Sequence, residues 1–238
     1  MSKEFFDVAR SEFGPLRTSQ VMGLEVLLEA TNGLPLAHRA YVLATAWHET
    51  GPENSPLHMT PRREIWGPTK QQLGYEGRED LGNTKPGDGK KYAGRGYCQI
   101  TGRKNYARAT KLTGRDLVNN PDIALEPEIA ARIIVDGMTK GWFTGKKMSD
   151  YSTYKDMRRV VNGTDRADLI ATYAASFEKA LKAIPASAPA PVPPPPDIEP
   201  PPSIEVPPPD PGKGIAGGLI AFLAALFAAA AYWLSKGQ

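Results

Sequence analysis

Residues Tyr41–Gly51 read YVLATAWHETG, an apolar run that ends in a histidine and a glutamate side by side. Leu36, Ala40, Leu43, Ala44 and Trp47 recur at the helical period, so one face of a helix is predicted to be buried. Gly51-Pro52 stops that helix and leaves His48 and Glu49 at its C-terminal end. A carboxylate there meets the unfavourable end of the helix dipole. Burial beside Trp47 would further favour its protonated form. On these residues alone two readings stay open: a proton donor held at a helix end, or a solvated glutamate on a frayed turn.

Helical patterns dominate outward from this stretch. Ser19 is placed to cap a helix carrying Val21, Leu24, Leu27 and Leu28 that ends at Asn32-Gly33. PEIAARIIVDGM starts with Pro127 in a first turn and is expected to end near Gly137. DRADLIATYAASFEKAL offers Asp165 as a cap and sets Leu169, Tyr173, Phe177 and Leu181 on one stripe. These stripes are core. Between them, residues 51–96 are polar and rich in glycine and proline, and a loop that long in a compact domain is usually functional.

The chain changes character after about residue 184. Fourteen of the twenty-seven residues from Pro185 to Pro211 are proline, a composition that favours an extended polyproline spacer. Its maximal reach is on the order of 80 Å. Ile215–Leu234 then gives twenty residues without a charge, flanked by Lys213 and Lys236, with Tyr232 and Trp233 near one end. That length and those aromatics suit a membrane span. Gly214 and Gly218 hint at helix self-association. The N-terminus, MSKEFFDVARSEFG, holds no apolar run of signal-peptide length.

The net charge of +3 is split. Residues 185–238 hold four carboxylates against two lysines, a net of −2, so residues 1–184 carry +5. Mild positive charge suits a polyanionic envelope surface. No basic stripe interleaved with aromatics points to nucleic acid. The single cysteine, Cys98, excludes an internal disulfide and reads as a small buried filler.

Several site types are set aside. The residue four after His48 is Pro52, so the zincin pattern fails, and His38 and His58 lie at no metal-ligand spacing from it. No metal or other cofactor is expected. GRGYCQ puts glutamine where a dinucleotide fingerprint needs its third glycine, GDGKK lacks the rest of a phosphate loop, and no G-x-S-x-G occurs. What remains is a set of carboxylates around the long loop: Glu49, Glu53, Glu64, Glu76, Glu79 and Asp80. Hydrolysis of a glycosidic bond needs two such groups facing each other across a cleft.

AYVLATAWHETG, YAGRGYCQITGRKNY, NPDIALEPEIAA, GWFTGKKMSDY and RRVVNG occur here in the order seen in glycoside hydrolase family 19. The chain resembles that chitinase and endolysin family over roughly residues 5–183, and most closely its phage and prophage endolysins. The resemblance implies a mainly α, lysozyme-like helical hydrolase domain over residues 1–184 with a long active-site loop region. A Pro-rich linker (185–213) and a C-terminal transmembrane helix (214–235) lie outside it. It implies an inverting hydrolase with Glu49 as general acid. For the general base it favours Glu64, with Glu76 in reserve and Glu53 too near the acid. It makes Thr101 the hydroxyl that holds the attacking water, and Gln99, Asn105 and Asn162 amides that line sugar subsites. His48 is an orienting neighbour on the substrate side, Trp66 and Tyr92 are candidates to stack on sugar faces, and Trp142 is read as core. Arg95 braces the glycine loop.

The expected function is therefore an endolysin that cleaves β-1,4 bonds of bacterial peptidoglycan and lyses the host cell. Its expected partners are glycan strands and, through the C-terminal helix, the host inner membrane, with the catalytic part acting on the periplasmic wall. Two rivals differ in kind. One is a chitinase acting on N-acetylglucosamine polymers. The other is a membrane-anchored, non-catalytic wall-binding or holin-like protein.

Overall fold

The computed structural model describes residues 2–185, which fall within one compact unit, Met1–Ala188. The Pro-rich linker and the apolar segment 214–235 lie outside the described residues. Among the described residues, no helix is long and apolar enough to cross a membrane.

Nine α-helices, four short 3-10 helices and two very short strands are present among the described residues; the α-helices and strands are α1 (Lys3–Phe13), α2 (Thr18–Ala30), α3 (Leu36–Glu49), β1 (Arg62–Arg63), α4 (Lys70–Leu73), α5 (Asp88–Lys91), β2 (Arg95–Gly96), α6 (Arg103–Thr113), α7 (Pro127–Lys140), α8 (Tyr154–Met157) and α9 (Ala167–Lys182). The domain is mainly helical, and α3 is its axis. Every residue from Ala40 to Trp47 is buried, more than the single face expected from the spacing. A helix that is apolar all round must be enclosed, and α9, α2, α7 and α8 enclose this one. Trp47 sits among Phe13, His58 and Phe177 at its C-terminal end.

Four local expectations are corrected. The N-cap position of α2 is Arg17, which puts Ser19 inside the first turn with its hydroxyl buried and unpartnered. Helix α7 runs through Gly137 and stops at Gly141. Gly137 stays in the helix because the Phe143 ring packs where a Cβ would stand. Helix α9 begins after Arg166 (φ 58°), and Asp165 gives its backbone carbonyl to Arg158 instead of a side-chain cap. The buried stripe of α9 is Ile170, Ala174, Phe177 and Leu181, so Leu169 and Tyr173 lie at its edge.

The long loop is not structureless. Residues 52–61 turn back over the end of α3, and β1 pairs antiparallel with β2 through Arg62–Gly96 and Arg63–Arg95. A second, smaller core of Tyr92, Ile100, Tyr106, Leu117 and Ile133 lies between this hairpin, α6 and α7.

Candidate active site

The C-terminal turn of α3 leaves carbonyls without helical partners, and the returning loop supplies donors for them. His58 is fully buried. Its Nδ1 meets the Gln20 side-chain amide at 2.9 Å, and its Nε2 lies 2.7 Å from the Trp47 carbonyl. An amide N–H can only donate, so Nδ1 accepts and Nε2–H donates. Burial holds the His58 pKa below its usual value, in keeping with this neutral tautomer. Arg62 donates to the Thr50 carbonyl at 2.6 Å. The strand that leads into Glu64 is thus tied to the residue after Glu49.

Glu49 is one-quarter exposed, and its Oε1 accepts from Arg158 Nη1 at 2.6 Å. Arg158 is buried and fixed further by donating Nε to the Asp165 carbonyl. Glu49 Oε2 has no partner among the described residues. The surroundings expected to be an apolar floor therefore include a buried cation. Tyr41, two turns earlier on α3, is buried nearby with its hydroxyl unpartnered. Burial and the Glu49 charge push its pKa up, while Arg158 opposes them. Cys98 is buried as expected, and its thiol is raised first by burial and then by the Glu49 charge. Cys98 packs in the same core as the buried residues of α3, which brings the GRGYCQIT segment beside the helix that carries Glu49.

The same segment reaches Glu64 from its other side. Glu64 donates its backbone N–H to the Gly94 carbonyl at 2.8 Å and accepts the Gly94 N–H on Oε2 at 2.9 Å. Oε1 accepts from Gln72 Nε2 at 2.9 Å and from the Tyr75 hydroxyl at 3.4 Å. A Cβ on residue 94 would press on Glu64 Oε2 and the Gln99 side chain, so the close approach requires glycine. Gln99 holds φ at 55° and donates to the carbonyls of Arg62 (2.8 Å) and Gly96 (3.1 Å). Thr101 donates to the Gln99 carbonyl at 3.0 Å. Asn105 donates to the Thr101 carbonyl and accepts from Arg108. Both amides brace the segment between the two carboxylates.

The remaining candidates separate. Trp66 is half-buried, tilted 47° to Tyr75 with ring centroids 6.5 Å apart, so an aromatic corner stands beside Glu64. Asn162 is exposed in the turn after Arg158. Its backbone N–H is bound to the Arg158 carbonyl, and its side chain accepts from Gly163. His48 lines a pocket of about 610 Å³ with Glu53, Arg166 and Tyr173, and burial lowers its pKa. Tyr92 does not stack on a ligand. It is fully buried against Tyr106, and its hydroxyl donates to the Val118 carbonyl. Glu76 spends both oxygens on the Gly87 and Gly89 amides, and Glu53 accepts from Tyr173. Arg95 is buried among Asp122, Tyr106 and two loop carbonyls. Arg158, Gln72 and Tyr75 escaped the reading of the sequence. Of the three, Arg158 alone lies in one of the quoted motifs, RRVVNG.

Residues 75–164 match the family model described as chitinase class I, glycoside hydrolase family 19. Through this segment the chain is similar to glycoside hydrolase family 19. A glycosyl hydrolase family 19 domain-containing protein of Haemophilus influenzae is 35% identical over 91 residues, covering 37% of this chain and 42% of that protein. The basic endochitinase of Vitis vinifera is 44% identical over 55 residues, 23% of this chain and 16% of that one. The chain thus spans less than half the length of these curated relatives. Chitinase C of Streptomyces griseus shares the fold, with a TM-score of 0.51 at 19% identity over 76% of this chain and 78% of that one. The matched segment holds Gln99, Thr101, Asn105, Arg158 and Asn162, whereas Glu49 and Glu64 precede it.

Proposed function

We propose that this chain hydrolyses the β-1,4 glycosidic bonds of bacterial peptidoglycan by inversion, with Glu49 as general acid and Glu64 as general base. One observation carries the assignment: the two carboxylates flank a single loop and are held in different ways. Glu64 accepts three hydrogen bonds, which leaves about one of its four lone-pair sites for a water. Glu49 is held through one oxygen and keeps the other free to carry a proton.

In the forward step the free oxygen of Glu49 protonates the glycosidic oxygen as the bond to the anomeric carbon breaks. Arg158 then faces the new carboxylate, a charge-assisted contact that stabilises the product state of the acid. Glu64 takes a proton from the attacking water on the opposite face of the ring. Thr101 lies close in sequence to Gln99, which abuts Gly94 beside Glu64, and its hydroxyl orients that water. An inverting pair works at about 6.5–9.5 Å so that the water fits between. Trp66 and Tyr75 form the apolar wall against which a sugar ring rests.

The choice of peptidoglycan is supported by the net positive charge of residues 1–184, by the endolysin-like order of the motifs, and by the apolar segment beyond the proline-rich stretch. In this reading residues 214–235 anchor the chain in the host inner membrane, and the spacer lets the hydrolase reach the wall during lysis. Chitin is the second reading, favoured by the names of the relatives, which are a basic endochitinase and a chitinase C. Rates of reducing-end release from purified peptidoglycan and from chitin oligomers separate the two. Peptidoglycan is expected to be cut faster. Cleavage confined to chitin oligomers would overturn the choice.

A further inference from the structure

The outer face of α6 carries a charge pattern that the proposed chemistry does not use. Helix α6 has the sequence RKNYARATKLT, with four basic residues and no acidic one. Arg103 is committed to the buried Asp88. Lys104, Arg108 and Lys111 stand at i, i+4 and i+7, which places them on one side of the helix. That side is opposite the buried Tyr106 and Ala109. Lys104 and Lys111 make no hydrogen bond or ion pair among the described residues, and Arg108 donates only to the neutral Asn105 side chain. Read linearly, the three are scattered. The helix gathers them.

The stripe ends at a recess of about 300 Å³ lined by Arg108, Lys111, Leu112, Asp136, Lys140 and Trp142. Asp136, its lone carboxylate, is already paired with Lys140. Trp142 is half-buried: it leans on the smaller core and leaves part of its surface to the recess. An aromatic surface beside unpaired cations fits a ring that carries or adjoins an anion. At its other end the stripe begins beside Asn105, whose side chain is bound to Thr101.

We propose that the α6 face and the Trp142 recess form a second binding surface for an acidic glycan, which holds the wall polymer while the strand is cut elsewhere on the domain. The choice of a carboxylate-bearing wall polymer over another polyanion rests on the proposed wall substrate and on a recess sized for a sugar ring. Long-range attraction between the stripe and such a polymer is screened by salt.

The test is co-sedimentation of the full chain, in mild non-ionic detergent, with purified peptidoglycan sacculi across a salt series. Glu49→Gln is built in so that the sacculi are not consumed, and the Lys104→Gln/Lys111→Gln double variant is compared with its parent. Loss of two exposed charges is expected to weaken binding about ten-fold at low salt, and the gap should close near 1 M salt, where charges are screened beyond about 3 Å. With Glu49 restored, the double variant should cut short soluble oligomers at the parent rate. Equal binding by parent and double variant at low salt would overturn the inference. So would a parent equally displaced from sacculi and from double-stranded DNA of matched charge. Neither result would touch the proposed hydrolysis, and absence of hydrolysis by the active chain would leave the binding measurement intact.

Discussion

Glu49 meets Arg158 across 109 positions of sequence, and that contact sets what the glutamate can do. In the proposed mechanism the buried guanidinium fixes the rotamer of Glu49 and faces the charge that forms once its proton leaves. Arg158→Gln is expected to lower kcat by about a hundred-fold, the scale of removing one well-placed stabilising donor. Arg158→Lys should recover part of that loss by keeping the charge without the planar fork. Measured kcat on either glycan checks both, and an unchanged kcat in Arg158→Gln would contradict the role. The motifs that hold Glu49 and Thr101 are each local to a short stretch, so a sequence displays them whole. The role of the arginine is not displayed, since nothing in RRVVNG says which carboxylate it will meet. Tyr92 shows the opposite failure. An aromatic in a glycine-rich segment looks the same whether it faces a sugar or, as here, fills a core.

At the scale of elements, the site depends on how the 52–61 loop closes the end of α3. The loop rests on α2 at Gly23, where a Cβ would overlap the Met59 carbonyl. Gly23→Ala therefore exchanges a helix-propensity gain of about 1 kcal/mol for overpacking that costs about 1–3 kcal/mol. A net loss of stability in urea unfolding is expected, and a gain would contradict the packing. His58 adds a pH dependence. Its pKa is lowered in the fold, first by burial, so below the unfolded value of about 6.5 the unfolded chain binds the proton that the fold refuses. The His58 contribution is complete above that pH and is lost as pH falls through about 6.5 toward the folded value. Thermal unfolding of the parent and His58→Gln from pH 8 to 5 should show the parent losing more stability across this interval. Parallel curves would contradict it. The stop at Gly51-Pro52 and the start at Pro127 were legible because such breakers act on their own neighbours. The caps expected at Ser19 and Asp165 failed because the Gln20 side chain closes the first turn of α2 onto Arg17, and Asp165 gives its carbonyl to Arg158.

Across the described domain, burial on all sides of α3 from Ala40 to Trp47 seats the end of the helix that carries Glu49 in the core. The mainly helical architecture could be read from periodicity, whereas the β1–β2 pairing that seats Glu64 involves two residues per strand, too few to leave a pattern. Acid stability belongs to this scale as well. Arg103 holds the Asp88 carboxyl below the usual carboxylate range and so links α5 to α6. That stabilisation is present above the unfolded value of about 3.9 and is lost as pH falls through the lower folded value. Asp88→Asn should lose about 1–3 kcal/mol at pH 7, the scale of removing one partner of a hydrogen-bonded pair whose arginine keeps some access to water, with the gap from the parent shrinking below about pH 4. The most direct measurement of the two-carboxylate reading is the anomeric configuration of the first product, followed by proton NMR as the full chain cuts a β-1,4 oligomer. The expected result is the α-anomer, formed by the parent and at least about a hundred-fold more slowly by Glu49→Gln and Glu64→Gln. First formation of the β-anomer, or undiminished cleavage by either variant, would contradict it.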